Sequence, residues 1–204
     1  GPWNEDTVNY GYNNRLRSSL SLIAPNASPW AQSYAYDLAK RLTNITSQAG
    51  AFTYAYNAPR STLHAKLTLP NGAAITNDFD SEARLLSTTL RSSTGTLLNS
   101  HSYSYNPVNQ RTQQVFNAAN RMDYVYDDIG QLVSAKGKES GGSDRLHEQF
   151  TYSYDKAGNL SNRVQNLLTN YFNVNSLNEL TTETNGGTLT VAGTTGAQAT
   201  SVTV

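Results

Sequence analysis

An all-β fold, an array of about eight antiparallel β-hairpins forming a curled sheet, partial shell or small barrel, is predicted by this sequence on three observations. A phrase built on Tyr-x-Tyr followed by Asp or Asn recurs along most of the chain at an average spacing of about 23 residues. The residues around it alternate apolar and polar, the period of a strand with one face buried. The chain is polar without being charged: 15% of its 204 residues are charged, yet 13 are tyrosine. A disordered chain is charge-rich and poor in aromatics, whereas tyrosine suits a pleated surface with one wet side.

Residues 1–9 read as a tag-removal remnant, Gly1-Pro2, and a lead-in. The repeated phrase then opens as YGYNNRL at Tyr10, and a connection follows from Ala24 through Pro25 to Pro29. Later copies are YAYDLAKRL from Tyr34, YAYNAPRSTL from Tyr54, DFDSEARL from Asp78 and YSYNPVNQR from Tyr103. The last three are YVYDDIGQL from Tyr124, YSYDKAGNL from Tyr152 and YFNVNSLNEL from Tyr171. Each reads as a hairpin. Phe52, Tyr54 and Tyr56 alternate on an outgoing strand, and Leu63, Ala65, Leu67 and Leu69 on its return. Phe150, Tyr152 and Tyr154 are answered by Leu160, Asn162 and Val164 across a turn. Tyrosines at i and i+2 share one strand face but lie on opposite faces of a helix, so the helical alternative fails where the signal is best.

The turns have their own chemistry. Asp or Asn ends the outgoing strand at Asn13, Asp37, Asn57, Asp80, Asn106, Asp127, Asp155 and Asn173, where its side chain can bond the turn backbone. Asp37, Asp127 and Asp155 are the capping residues of the best copies, and Gly130 and Gly158 supply the positive φ such a turn needs. Lys40 and Ala83 occupy that place in other copies, so those turns must adopt another geometry or accept strain. KGKESGGSD, with its Gly137 to Ser143 stretch, reads as a long surface loop at a hairpin tip. Repeats span residues 10–180. Residues 181–204 lose all aromatics and read as a Thr/Gly-rich tail, either the start of a following module or a capping strand. Leu189-Thr-Val191 and Ser201 to Val204 are its candidate strands, and Asn185-Gly186-Gly187 is a hairpin-turn signal.

Bulk properties narrow the function. The chain is long enough to bury a core. Fifteen basic residues balance fifteen acidic ones with no basic run, so capture of nucleic acid is not expected. No stretch approaches the roughly 20 apolar residues of a helical membrane span, and no membrane insertion is expected. Without cysteine there are no disulfides, thiol nucleophiles or thiolate metal sites.

Tyr126-Asp127 through Gly130-Gln131-Leu132, Tyr154-Asp155 through Gly158-Asn159-Leu160, and Tyr36-Asp37 through Arg41-Leu42 resemble the YD-repeat, or RHS-repeat, family. The resemblance runs from about Tyr10 to Leu180. It implies hairpins laid side by side into a long sheet that spirals into a hollow shell, here a curled sheet, partial shell or small barrel of RHS type. In bacterial polymorphic toxins and insecticidal toxin complexes that shell encloses a toxic C-terminal domain, and similar barrels in animal teneurin-type proteins serve adhesion. The family's self-cleaving C-terminal core motif, with its Asp pair, has no counterpart in this sequence, so self-proteolysis is not carried over. The implied setting is a large secreted or cell-surface bacterial protein, and this chain a non-catalytic scaffold fragment of it.

Candidate sites are few. Trp30, Tyr36, Tyr126 and Tyr154 could offer aromatic faces to sugar rings, but a packed tyrosine row on the sheet is the simpler reading. Trp3 and Trp30 are the two tryptophans, each a platform or a cover for a sheet end. The repeated Asp residues alternate with Asn, which cannot replace a catalytic acid. Glu148, beside His147, is the least repetitive carboxylate, and glycoside hydrolysis would need it paired with a second acid at a set separation. His64, His101 and His147 are too scattered for a metal motif. No catalytic residue, metal site or cofactor is assigned. Expected partners are glycans, the rest of a parent polypeptide, or a second copy joined at unpaired edge strands. The competing function is a carbohydrate-active protein: a glycan-binding module, or a glycoside hydrolase using Asp or Glu in the curled sheet.

Overall fold

Alternating residues with turn-forming punctuation fold here into strands alone. The structure, a computed structural model, describes residues 6–25, 27–58 and 61–187, and these contain sixteen antiparallel strands and no helix. They divide into two units, Gly1–Tyr103 and Ser104–Val204.

In the first unit the order is β1 (Thr7–Asn13), β2 (Leu16–Ile23), β3 (Trp30–Tyr36), β4 (Leu42–Ser47), β5 (Gly50–Tyr56), β6 (His64–Thr68), β7 (Ala74–Phe79), β8 (Leu85–Arg91) and β9 (Leu97–Tyr105), whose last residues pass the boundary. Each of these strands pairs with its sequence neighbour. One face carries cross-strand rows of half-buried apolar side chains, Tyr34–Ile45–Phe52 over β3 to β5 and Tyr54–Leu67–Ile75–Leu90 over β5 to β8. The other face is a polar ladder, with Asn44 Nδ2 donating to Thr53 Oγ1 at 3.2 Å and Ser87 Oγ to Asp78 Oδ2 at 2.7 Å.

In the second unit β10 (Arg111–Phe116), β11 (Arg121–Tyr126), β12 (Leu132–Lys138), β13 (Asp144–Tyr154), β14 (Leu160–Gln165), β15 (Leu168–Val174) and β16 (Leu180–Gly187) pair in the same consecutive way. Its rows are Tyr124–Ala135–Phe150 and Tyr152–Arg163–Asn170, with the Phe150 and Tyr152 rings stacked 6.5 Å apart.

The ladders are open: β1 pairs only with β2, and β16 only with β15, among the described residues. No small barrel closes among the described residues. Nor does either unit bury the core that chain length led us to expect. Ala73 and Ala135 are the buried hydrophobic residues, Asn170 the buried polar one, and no large side chain is fully buried among the described residues. Within each unit, strands touch only their sequence neighbours, so no second layer covers the apolar rows.

Among the described residues ten turns share one geometry, in which the residue that opens the turn donates its N–H to the carbonyl four places on, accepts the N–H of the residue three places on, and that latter residue has positive φ. Asp80 N donates to Arg84 O at 3.1 Å and Ala83 N to Asp80 O at 3.1 Å, and Ala83 lies at φ 65°. This is a type I turn closed by a left-handed bulge residue, and in several hairpins a further register shift follows one pair deeper in the ladder, as between Asp78 and Phe79 and between Val125 and Tyr126. Lys40, at φ 62°, and Ala83 therefore accept strain and do not change the turn. KGKESGGSD is no long loop: Glu139–Ser143 makes the same tight turn, because Gly142 supplies φ 92° and Lys138 pairs with Asp144 across the strands.

The last hairpin is also longer than expected. β16 runs past residue 180 to Gly187, and Asn185 and Gly186 pair with Asn170 and Thr169 as strand residues instead of turning. Gly187 is required there, since a Cβ would stand 2.0 Å from the Leu167 carbonyl oxygen. Trp3, the Leu189 and Ser201 segments and the rest of the expected tail lie outside the described residues.

Replacing Ala83 by Gly removes the left-handed penalty of roughly 1–2 kcal/mol and returns part of it as unfolded-chain entropy. Ala83→Gly is therefore expected to stabilise the protein by about 0.5–1 kcal/mol in urea unfolding, and Gly130→Ala to destabilise it by a similar amount.

Candidate functional site

The repeat places three side chains around each full turn, and all three are occupied structurally. The Asp or Asn that ends the outgoing strand turns its Oδ1 onto the loop. Asp127 Oδ1 accepts the N–H of Ile129 at 3.1 Å and of Gln131 at 2.8 Å. Asp155 Oδ1 accepts those of Ala157 and Asn159, both at 2.9 Å. Asp37 Oδ1 accepts the N–H of Arg41 at 2.9 Å, and that backbone bond, with the Arg41 side chain, holds its carboxyl below the usual carboxylate range. The side chain of Asn159 does the same to Asp155.

The residue four places on completes the turn, a role the sequence displayed without explaining. Asp37 Oδ2 receives Arg41 Nε at 2.7 Å, Asp80 Oδ2 receives Arg84 Nε at 2.6 Å, and Asp155 Oδ2 receives Asn159 Nδ2 at 2.9 Å. Where the cap is Asn the polarity reverses. Asn106 Nδ2 donates to Gln110 Oε1 at 2.7 Å and Asn175 Nδ2 to Glu179 Oε2 at 2.7 Å. An acid cap takes a donor at the fourth place, and an amide cap takes an acceptor. The last copy thus turns on Asn175; the expected Asn173 is a β15 strand residue opposite Thr182. Asn13 likewise ends a two-residue turn through Asn14 and Arg15, at φ 49° and 69°, and does not cap a five-residue one.

The second tyrosine of the phrase fastens one hairpin to the hairpin before it. Tyr36 donates its hydroxyl to Arg17 O at 2.9 Å, Tyr56 to Leu42 O at 2.7 Å, Tyr126 to Arg111 O at 2.9 Å and Tyr154 to Leu132 O at 2.9 Å. Each acceptor lies at the start of the preceding return strand, and being a main-chain carbonyl it tolerates Arg or Leu as its side chain. Burial pushes the Tyr154 and Tyr56 hydroxyls above the ordinary tyrosine value. Tyr36, Tyr126 and Tyr154, considered as ligand platforms, thus share one structural environment. The more exposed tyrosines are Tyr10, Tyr12 and Tyr171, at 51%, 63% and 47%. Trp30 opens β3 opposite Leu22. A groove of about 440 Å³ runs past Asn13, Tyr34, Tyr36, Asp37 and Lys40, but Tyr34, Tyr36 and Asp37 have already committed their polar atoms within the fold.

One place breaks the repeat. β12 and β13 are paired at Lys136–Gln149 and again at Lys138–Asp144, so Arg145, Leu146, His147 and Glu148 all stand opposite Gly137. His147 lies at φ 69°, within a strand and away from any turn. The bulge is held from several sides. Gln149 Nε2 donates to Gly137 O at 2.7 Å and Arg145 O at 3.0 Å, and Arg145 is paired with Glu139 and Glu148. Gln165 Nε2 donates to His147 O at 3.2 Å, and the Asn166 amide meets His147 Nδ1 at 3.3 Å. A Cβ on Gly137 would lie 2.5 Å from Glu148 Oε2, so this glycine makes room for the bulge. Beside it opens a groove of about 480 Å³. Glu148, the irregular carboxylate singled out in sequence, pairs with Arg145 and does not line that groove, whose one acid among the described residues is Asp144. No cluster of three or more His, Cys, Asp or Glu side chains suited to a metal ion occurs among the described residues.

The fold is similar to solved structures of a toxin complex. The likeness to the chain described as "TcdB2-TccC3-Cdc42" has a TM-score of 0.59 at 13% identity, over 86% of this chain and 12% of that one. That to "TcdB2-TccC3 without hypervariable C-terminal region" has a TM-score of 0.53 at 16% identity, over 82% of this chain and 12% of that one. At these identities the likeness shows the fold alone, and this chain spans about an eighth of the length of those two chains. No family model and no curated protein matches the sequence.

Two measurements follow. Tyr154→Phe should cost about 1 kcal/mol in denaturant unfolding, the net value of one hydrogen bond. Tyr152→Phe should be nearly neutral, since that hydroxyl has no hydrogen-bond partner among the described residues. Asn175→Asp sets a carboxylate against Glu179 and should destabilise by about 0.5–1 kcal/mol, with adding Glu179→Arg restoring the loss. A double-mutant cycle reads that coupling.

Proposed function

We propose that this chain is a non-catalytic β-repeat scaffold, a stretch of shell wall in a large secreted or cell-surface bacterial protein of RHS-repeat type. The observation that carries the reading is the recurrence of the tyrosine fastening from one hairpin to the hairpin before it, four times in the described residues. A unit that bonds only to its sequence neighbours extends by addition, as repeat proteins do. The apolar rows it leaves half-covered suit a wall that other parts of a larger polypeptide line. The toxin-complex structures it resembles in fold are many times longer, and this length ratio fits a wall segment better than a self-sufficient domain.

Enclosing a toxic C-terminal domain is the role within this reading that follows from the family resemblance. The repeated polar atoms argue against catalysis at the repeats, because the acids are spent on turns and the hydroxyls on carbonyls. In a parent polypeptide carrying this sequence, limited proteolysis is expected to leave the repeat region and the segment downstream of it protected together. Rapid digestion of the downstream segment while the repeats stay intact would refute encapsulation. The isolated chain is expected to turn over no member of a chromogenic glycoside panel and to show no retardation in polysaccharide affinity gels. Turnover abolished by Glu148→Gln would replace the scaffold with a glycoside hydrolase, and retardation alone would replace it with a glycan-binding module.

A further inference from the structure

We propose that the groove beside the β13 bulge binds a small carboxylic acid with an aliphatic or aromatic body. This inference stands apart from the scaffold reading, since it concerns the part of the chain where the repeat is interrupted. The bulge inserts four residues opposite one and gives His147 a backbone conformation that L-residues avoid, yet its hydrogen bonds and ion pairs to Gly137, Glu139 and Gln149 hold it in a single shape. Strain kept in place by surrounding contacts is characteristic of binding sites. The volume of this half-open groove, about 480 Å³, is in the range of small-molecule pockets.

Two features of the lining specify the ligand. The first is apolar. Leu146 on the bulge is 81% exposed and Leu167 on the neighbouring β14–β15 turn is 63% exposed, and both line the groove together with Val164. Two exposed leucines from separate loops, converging on one cavity, gain from covering a ligand body there.

The second is charge. Lys136 lines the groove and has no direct ion pair among the described residues, whereas Asp144, which lines it too, is taken by Lys138, and Lys138 first and Lys136 second hold that carboxyl below the ordinary range. His147 meets the Asn166 amide at Nδ1 and brings an imidazole, whose tautomer decides which ring nitrogen donates, to the same lining. An ammonium and an imidazole beside an apolar clamp complement a carboxylate and disfavour an amine.

The test uses the 204-residue chain and octanoate, octylamine and octanol as probes, read by methyl NMR titration. Octanoate should shift leucine and valine methyl signals saturably, octanol should bind more weakly, and octylamine should not bind. Leu146→Ser should weaken octanoate binding about tenfold through lost apolar contact. Lys136→Gln should weaken it about threefold, as befits one exposed charge pair. Both residues are exposed, so the amide spectrum of each variant should otherwise match that of the parent chain. The proposal is overturned if octanoate gives no saturable shift, if octylamine binds as well, or if Leu146→Ser leaves affinity unchanged. Saturation by a peptide acid ending in leucine without saturation by octanoate would also overturn it, by assigning the groove to a polypeptide terminus.

Discussion

In units where no large side chain is fully buried, each strand is held chiefly by the ladders it shares with its sequence neighbours, and the register of those ladders is set at the turns. A register slip of one residue would move every tyrosine to the opposite face, and no packed second layer is present within a unit to oppose it. The turn chemistry therefore carries a burden that a core carries in a two-layer protein. Asp or Asn fixes where the outgoing strand stops, the left-handed residue fixes where the return begins, and the fourth residue closes the ring of bonds. The tyrosine hydroxyl then fixes the next hairpin against the same carbonyl position. Sequence period and hydrogen-bond period coincide because they are one device repeated.

Much of this was legible in residues 10–180. The alternation of Phe150, Tyr152 and Tyr154, the turn at Asp155 to Gly158 and the shared environment of Tyr36, Tyr126 and Tyr154 all follow from strand period and turn chemistry. Less legible was whatever depends on pairing partners. Asn173 and Asn175 are equivalent by type, and only the register of β15 against β16 decides which one caps. Asn185-Gly186-Gly187 has the local chemistry of a turn, yet Leu168, Thr169 and Asn170 offer it a ladder, and long-range bonds win over local preference. Lys138 and Asp144 convert an apparent linker into a hairpin by pairing with each other, a contact no window of composition reveals. The core expectation failed for a more general reason. Chain length bounds how much surface can be buried, but consecutive pairing decides whether a second layer forms.

The same arrangement explains where chemistry can and cannot sit. A repeated acid that accepts two backbone N–H groups and a side-chain donor has most of its roughly four acceptor sites filled by the turn, and a tyrosine that donates to a carbonyl has spent its only proton. Recurrence was therefore informative about the fold, and at the repeats it marks bonds that the fold itself uses. His147 and Glu148 had drawn notice in the sequence because they do not recur. In the structure they sit on the β13 bulge, where Glu148 pairs with Arg145 and His147 lines the groove.

Such a bulge is tolerable only because stability here is close to one-dimensional. In a two-layer domain, three extra residues in an inner strand would force the opposing layer to shift or leave a void. In this ladder, β13 regains its pairing with β12 at Lys136–Gln149 and with β14 from Phe150 onward, so the disturbance ends within one strand. The residues displaced from the sheet are then released from the repeat's demands, and Leu146 is free to face solvent instead of an apolar row. A repeat wall of this kind can acquire a local site by insertion without altering its neighbours, and its turns keep the register on both sides of the change.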